Sequence, residues 1–512
     1  MAVALGALAA ASAADASAQT YAPNPFQPSL SDPRNPQRFG KPPDGVTRST
    51  SPAAASVSAG DTGFDSTGSI GRKKKAKRRP GSRFPATPVS SSVPVGPPQQ
   101  ATGQTSAPQV AVRASYANAY KPPDAPQRRA LPPNADPYEP VGVRVGGFVL
   151  RPSIEVSRGT DSNPNRTTGG PRSQFTLLSP ELLAKSEWAR HELGATLRGS
   201  YISYDALSSA NRPTADTKVF GRIDATRDLR FDFDGRFLLG TDNPGSPNLQ
   251  AGLAKLPIYT VWGGTAGVAQ RFNRLDLSVK GSVDRTTFQD SELVDGTTDS
   301  NRDRNYYQYR VQARASYEFT PGFKPFVEID ADRRVYDGSC ECDAVQRDSH
   351  AFTPKAGATF EFARHLTGEV SAGYTTRDYI NPDLTTLRGW VIDSSLVWVA
   401  TGLTTATLTA NSRADETVLA GVSGTLRRDF GLQIDHAFRR WLIGTVKVGY
   451  GLDDYVGSDR LDKRTSLAAI LTYKFNRELW LKGEFRQEWM RSTVTGVDYD
   501  ASIFLVGLRV QR

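Results

Sequence analysis

From about residue 141 to residue 512, apolar and polar residues alternate with a period of two. The clearest runs are Leu275-Asp276-Leu277-Ser278-Val279-Lys280-Gly281-Ser282-Val283-Asp284, Phe231-Asp232-Phe233-Asp234-Gly235-Arg236-Phe237, Tyr309-Arg310-Val311-Gln312-Ala313-Arg314-Ala315-Ser316-Tyr317 and Val327-Glu328-Ile329-Asp330-Ala331-Asp332. A strand sends successive side chains to opposite faces, so each run predicts a strand with one apolar and one charged face. The pattern places strands over 142–156, 174–187, 191–205, 217–228, 230–242, 258–271, 275–289, 306–319, 324–337, 351–362, 367–379, 389–399, 404–414, 419–436, 442–455, 464–475, 479–491 and 499–511. Very short polar turns such as Thr226-Arg227-Asp228-Leu229, Phe319-Thr320-Pro321-Gly322-Phe323 and Phe475-Asn476-Arg477-Glu478-Leu479 alternate with longer polar loops. Tight turns on one side and long loops on the other predict an all-β fold, a transmembrane antiparallel up-and-down barrel of about 18 strands, with 16 as the neighbouring even count.

Alternation alone also fits a soluble sandwich, which buries its apolar face and exposes its charges. Two features favour the membrane. The segments reach the ~9 to 11 residues that a tilted strand needs to cross a bilayer. Aromatic residues gather near the turns (Trp188, Trp262, Phe319, Phe362, Trp398, Trp441, Phe475, Trp480), and a second set lies towards the loops (Tyr204, Phe288, Tyr336, Tyr379, Trp390, Tyr455, Trp489, Tyr499). Two such belts are what two bilayer interfaces select. Pro180 and Pro354 fall inside predicted strands, where bulges or strand-end positions would accommodate the missing N–H. With 23% charged residues and a mean hydropathy of −0.45, the chain looks soluble on average. A barrel strand, however, meets lipid only at every second residue, and no run approaches the ~20 apolar residues of a spanning helix.

Residues 1–18 form an Ala/Leu/Val-rich stretch ending in Ala16-Ser17-Ala18, which predicts a secretory signal cleaved before Gln19. No Lys or Arg precedes the apolar run, so its start could lie inside a longer signal. Residues 19–140 are rich in Pro, Ser and Ala and predict a disordered periplasmic segment. Residues 1–140 carry 16 basic against 8 acidic side chains, leaving residues 141–512 nearly neutral. Much of the surplus is Arg72, Lys73, Lys74, Lys75, Lys77, Arg78 and Arg79. In an exported chain this block speaks for no nucleic acid; it is either a solvated spacer or a contact for anionic periplasmic polymer or lipid.

Val149-Leu150-Arg151-Pro152-Ser153-Ile154, Gly421-Val422-Ser423-Gly424, Leu432-Gln433-Ile434-Asp435-His436 and the ending Leu505-Val506-Gly507-Leu508-Arg509-Val510-Gln511-Arg512 make residues 141–512 resemble the putative beta-barrel porin 2 family of proteobacterial outer-membrane barrels. The ending departs from a common assembly signal by closing on Arg512 instead of Phe or Trp. The resemblance implies a bacterial outer membrane with its lipid and barrel-assembly machinery as partners. The barrel size and the resemblance favour a porin-like channel for small hydrophilic solutes or ions, because ~16 to 18 strands leave an aqueous lumen. Candidate lining residues are Arg222, Asp224, Asp232, Asp234, Arg236, Asp276, Lys280, Asp284, Arg310, Arg314, Glu318, Glu328, Asp330, Asp332, Arg334, Lys447, Lys474, Lys482, Glu484, Arg486 and Glu488. The same residues could instead form a salt-bridged network in a non-conducting structural, surface-interaction or envelope or polysaccharide assembly barrel.

Cys340 and Cys342 fall in a predicted outer loop, where an oxidising compartment favours a small disulfide. Two thiolates are too few for a metal site, and the sequence predicts no cofactor. The four histidines, His191, His350, His365 and His436, are scattered, and no Gly-x-Ser-x-Gly elbow accompanies them, so the sequence predicts no enzyme.

Overall fold

The computed structural model describes residues 138–337, 346–362 and 365–512. Eighteen long strands run up and down: β1 (Phe148–Asp161), β2 (Ser173–Ser186), β3 (Glu192–Tyr204), β4 (Arg212–Asp224), β5 (Leu229–Thr241), β6 (Ile258–Phe272), β7 (Leu275–Phe288), β8 (Tyr306–Tyr317), β9 (Phe323–Tyr336), β10 (Ser349–Phe362), β11 (Leu366–Tyr379), β12 (Leu387–Thr401), β13 (Thr404–Asp415), β14 (Gly424–Arg439), β15 (Leu442–Val456), β16 (Leu461–Lys474), β17 (Leu479–Ser492) and β18 (Tyr499–Gln511). Each pairs antiparallel with its neighbours in the chain, and β1 pairs with β18 from Ser153↔Gln511 to Asp161↔Ile503, which closes the ring. A short strand, Val143–Val145, turns at Gly146 (φ 58°) and pairs back onto Phe148–Leu150. The alternation over 142–156 therefore belongs to two segments, and β1 extends five residues further than that pattern indicated. The signal and tail, residues 1–137, and Cys340 and Cys342 lie outside the described residues.

Side-chain exposure decides between the sandwich and the membrane barrel. Phe231, Phe233 and Phe237 point outward, whereas Asp232, Asp234 and Arg236 point inward. The outer face carries Val279, Val311, Val327, Ile329, Leu432, Val446 and Phe504 as exposed apolar groups around the ring, while Asp284, Asp330, Arg334, Glu484 and Glu488 are buried inside it. An apolar belt of that extent is stable only against lipid. Near the short turns, Trp188, Phe319, Trp398, Trp441 and Phe475 form an exposed girdle.

Three readings of the pattern need correction. Trp480 is buried on the inner face, and Trp262, although exposed, sits in the outer third of β6. In the loop-side set, Trp390 is 68% exposed, but Tyr204, Phe288, Tyr455 and Tyr499 face inward and are buried. Three of those inner rings pack against guanidinium groups: Arg212 lies 5.8 Å from the Tyr204 centroid, Arg304 3.9 Å from that of Phe288 and Arg460 4.9 Å from that of Tyr455. Cation–π attraction thus holds at the inner rim rings that the spacing had assigned to lipid. The side chain of Phe362 is outside the described set. Pro180 and Pro354 lie mid-strand without a bulge: the ladders skip two positions and resume in unchanged register. Gly199 lies opposite Pro180 and leaves room for the ring, whose Cγ is 3.4 Å from where a Cβ would stand.

Candidate functional site

The inward face of the ring is a lattice of opposite charges. On the wall from β4 to β12, Arg236 donates two hydrogen bonds to Asp284 at 2.8 and 2.7 Å. The pair reaches over β6 because residue 263, which stands between them, is glycine; a Cβ there would lie 2.2 Å from Asp284 Oδ1. Arg310 meets Asp330 at 3.1 Å, and Lys355 meets Asp393 at 2.8 Å and Asp330 at 3.2 Å. Arg314 donates to both oxygens of Glu369 at 3.0 and 2.6 Å, approaches Glu328 at 3.5 Å and stacks 3.4 Å from the Phe326 centroid. Arg377 donates to Asp332 at 2.6 Å. Lys280, half-buried, shares this face, and Asp234 stands 3.9 Å from Lys218.

The facing wall carries the same chemistry. Arg464 bridges Asp429 (2.8 Å) and Asp453 (2.6 Å), while Arg427 donates to Asp429 at 3.0 Å. Lys482 lies 3.5 Å from Glu155 and 3.6 Å from Glu484; Arg486 donates to Glu484 and lies 3.7 Å from Glu488. Lys447 is buried on β15 beside this run. Closer to the short turns are Arg222 with Asp224 (3.1 Å), Arg271 with Glu318 (2.8 Å) and with Asp276 (3.8 Å), and Lys324 with Asp276. Lys474 Nζ sits 4.4 Å from the Trp480 centroid, and Asp232 is half-buried opposite Arg222.

All 21 charged positions singled out in the sequence thus lie on the inward parity of their strands or just beyond a strand end, spread around the ring. Reading only the cleanest alternations missed Glu155, Asp161, Glu181, Lys355, Glu369, Arg377, Asp393, Arg413, Arg427, Asp429, Asp453 and Arg464. Some of them, such as Glu369 and Arg377, sit on a strand whose outer face mixes Gly368, Ala372 and Thr376 with Val370 and Tyr374. Parity counted from one lipid-facing residue finds them, as Phe352 does for Lys355.

The loops at the long-loop end bend into the mouth. Arg166, on loop 162–172, is 1% exposed and adopts φ 54°, with bonds to Asp161 at 2.9 Å and to Glu488 at 2.9 Å. Burial opposes its charge, yet Glu488 and Asp161 outweigh that and raise its pKa above the ordinary guanidinium value. Loop 242–257 packs on Arg166 at Gly245 (φ 78°), where a Cβ would stand 2.4 Å from the Arg166 carbonyl oxygen. It then crosses to loop 416–423, eight strands further round, where Asn248 Oδ1 accepts from Thr417 Oγ1 (2.9 Å) and Val418 N (3.2 Å). A cavity of about 120 Å³ remains between the crossing loop and the wall, lined among others by Tyr259, Arg413, Arg427, Asp453 and Arg464. Among the described residues no cluster of His, Cys, Asp and Glu is arranged to hold a metal ion.

An 18-strand ring with an apolar exterior and a charged interior defines an outer-membrane β-barrel of the porin type. Residues 136–512 match the model of the family described as putative beta-barrel porin 2, and the chain belongs to that family. Solved structures with a similar fold include Acinetobacter baumannii OccAB3 (10% identity, 72% of this chain and 100% of that chain, TM-score 0.33) and Pseudomonas aeruginosa OccK2 (11% identity, 71% and 98%, TM-score 0.37). The ferric citrate transporter FecA is similar at 11% identity and TM-score 0.36, over 67% of this chain and 60% of that one. No curated protein matches the chain.

Proposed function

We propose that this barrel is a channel through which small hydrophilic solutes and ions diffuse passively across the outer membrane. The observation that carries the reading is the wide ring with charged groups along its whole inner face, since rings of ~16 to 18 strands enclose water whereas eight-stranded ones are filled by side chains. Acids and bases alternate along both walls at ion-pair distance, so each charge is countered by its neighbour. Such pairs present little net field beyond the ~8 to 10 Å over which salt screens them, which supports weak ion selectivity. Carboxylates held in ion pairs with arginine or lysine are poorly placed for acid–base chemistry, so no catalytic role is assigned.

The N-terminal segment hangs in the periplasm in this reading, with its basic block free to touch anionic polymer or lipid, and the barrel reaches the membrane through the barrel-assembly machinery. Single-channel recording in planar bilayers tests the function. Discrete conductance steps with similar cation and anion permeability are expected. Silence across salts and voltages would defeat the channel and favour a structural or envelope-assembly barrel, a reading supported by the loop that crosses the mouth.

A further inference from the structure

The wall is not hydrogen-bonded all the way up. β12 and β13 pair from Thr401↔Thr404 to Ser394↔Ala410, and there the ladder stops. Residues 387–393 of β12 and 411–415 of β13 continue as strands, held only by their other neighbours: Leu387 still pairs with Arg377 of β11, and Asp415 with Thr425 of β14. This is the longest break in any ladder of the described residues.

Packing shows how the two edges lie. On the outward face of β14, Leu432 is 37% exposed, yet Leu426 on the same face is 1% exposed. Leu426 packs with Leu387 and Val391, which point inward from β12, and Tyr379, Ala414 and Val456 complete the cluster. The inner face of β12 therefore covers the outer face of β13 and β14, and the sheet overlaps itself like a rolled edge. Side chains stand in for the missing ladder: Ile392 N donates to Ser412 Oγ (3.0 Å), which donates back to Ile392 O (3.3 Å), and Arg428 Nε donates to Trp390 O (3.3 Å). The tucked edge is in turn tied across the lumen. Arg334 of β9 donates to Ala414 O at 3.0 Å and pairs with Glu416, and Arg347 donates to Val422 O (2.9 Å) and Ser423 O (3.2 Å).

We propose that this overlap is the gate of the mouth. Sliding β13 out from behind β12 extends the existing register to Ile392↔Ser412 and Trp390↔Ala414. The slide lengthens the circumference at the outer end and draws loop 416–423, with the end of the crossing loop that Thr417 and Val418 hold, away from the lumen. The two states exchange one set of bonds for another: backbone pairs replace the Ser412 and Arg428 substitutes, and the Arg334 ties part. The stacked Leu387, Val391 and Leu426 give up one another's contact for lumen or lipid contact. Two arrangements of one seam, one held by side-chain bonds to Ile392, Trp390 O and Ala414 O and the other by backbone pairs, are what a bistable element requires.

The proposal rests on the channel reading for its consequence but not for its motion, so the test reads both. Val391→Cys with Arg413→Cys, in a chain also carrying Cys340→Ser and Cys342→Ser, places thiols at a non-hydrogen-bonded pair of the extended register, where Cα atoms lie ~4.5 Å apart and a disulfide fits. As the structure stands, Val391 packs outside β14 while Arg413 bonds Asp415 (2.9 Å) in the lumen, so the backbone of β13 separates them. Oxidation of the folded barrel is expected to form the intramolecular disulfide, seen by mass spectrometry, and to raise single-channel conductance until a reductant reverses it. Single Arg413→Cys sets the baseline, and adding Arg334→Gln is expected to speed bridging. Failure to bridge while the barrel conducts would overturn the gate alone. Bridging with unchanged conductance in a conducting barrel would also overturn it, and bridging in a barrel that never conducts would overturn gate and channel together.

Discussion

Replacing Val311 by arginine tests the inside–outside assignment on which every functional statement rests. Val311 is the sixth of twelve residues in β8, close to mid-height of the wall, and its side chain is 43% exposed on the outer face. Its direct neighbours on that face are Gly281 and Ala331, and its diagonal ones are Val279, Val283, Ile329 and Arg333. None can neutralise a guanidinium, and Arg333 would repel it. Arginine at the bilayer midplane of a barrel costs about 2 to 4 kcal/mol. That corresponds to a loss of about 30- to 1,000-fold in the folding equilibrium constant. Denaturant titration of the barrel folded into lipid vesicles measures this directly. Lys280→Ala on the inner face of β7 is the companion variant, and its loss is expected to be smaller because the site has no lipid contact. Equal tolerance of both substitutions would refute the face assignment and, with it, the reading of the charged face as the lumen.

Arg314→Leu leaves Glu328 and Glu369 facing each other without their shared cation, and a stability loss of about 3 to 5 kcal/mol is expected in the same titration, since breaking one partner of a buried pair strands the other. Gly263→Val drives a side chain into the Arg236–Asp284 bridge and the Val283 carbonyl, and overpacking of this kind costs about 1 to 3 kcal/mol; wild-type stability would show that the bridge does not need the glycine. Deleting residues 19–140 is expected to leave conductance unchanged, because a segment of that composition must offset its ordering entropy to stay bound in a lumen. A rise in conductance that shrinks with salt would instead identify the basic block as a plug.

Strand number and facing were legible in the sequence because a period of two is a local property. Phe231 to Phe237 sort themselves into lipid and lumen with no knowledge of what lies across the ring. The short turns fixed the order of pairing in the same local way, so β18 could be placed from 499–511 without reference to β1. The tertiary structure alone decided which charges meet. Arg236 finds Asp284 across an intervening strand, and Arg166 reaches Glu488 from a loop more than three hundred residues earlier in the chain. The reversals came at the outer end. There Tyr204, Phe288 and Tyr455 turned inward onto arginines, the span 419–423 left the wall to become a loop in the lumen, and β13 slid behind β12. The alternation of a segment says which side chains share a face, but not whether the neighbouring strand has stayed at its edge. That depends on how loops and arginines contributed by distant strands compete for the same space, and only closing the ring brings them together.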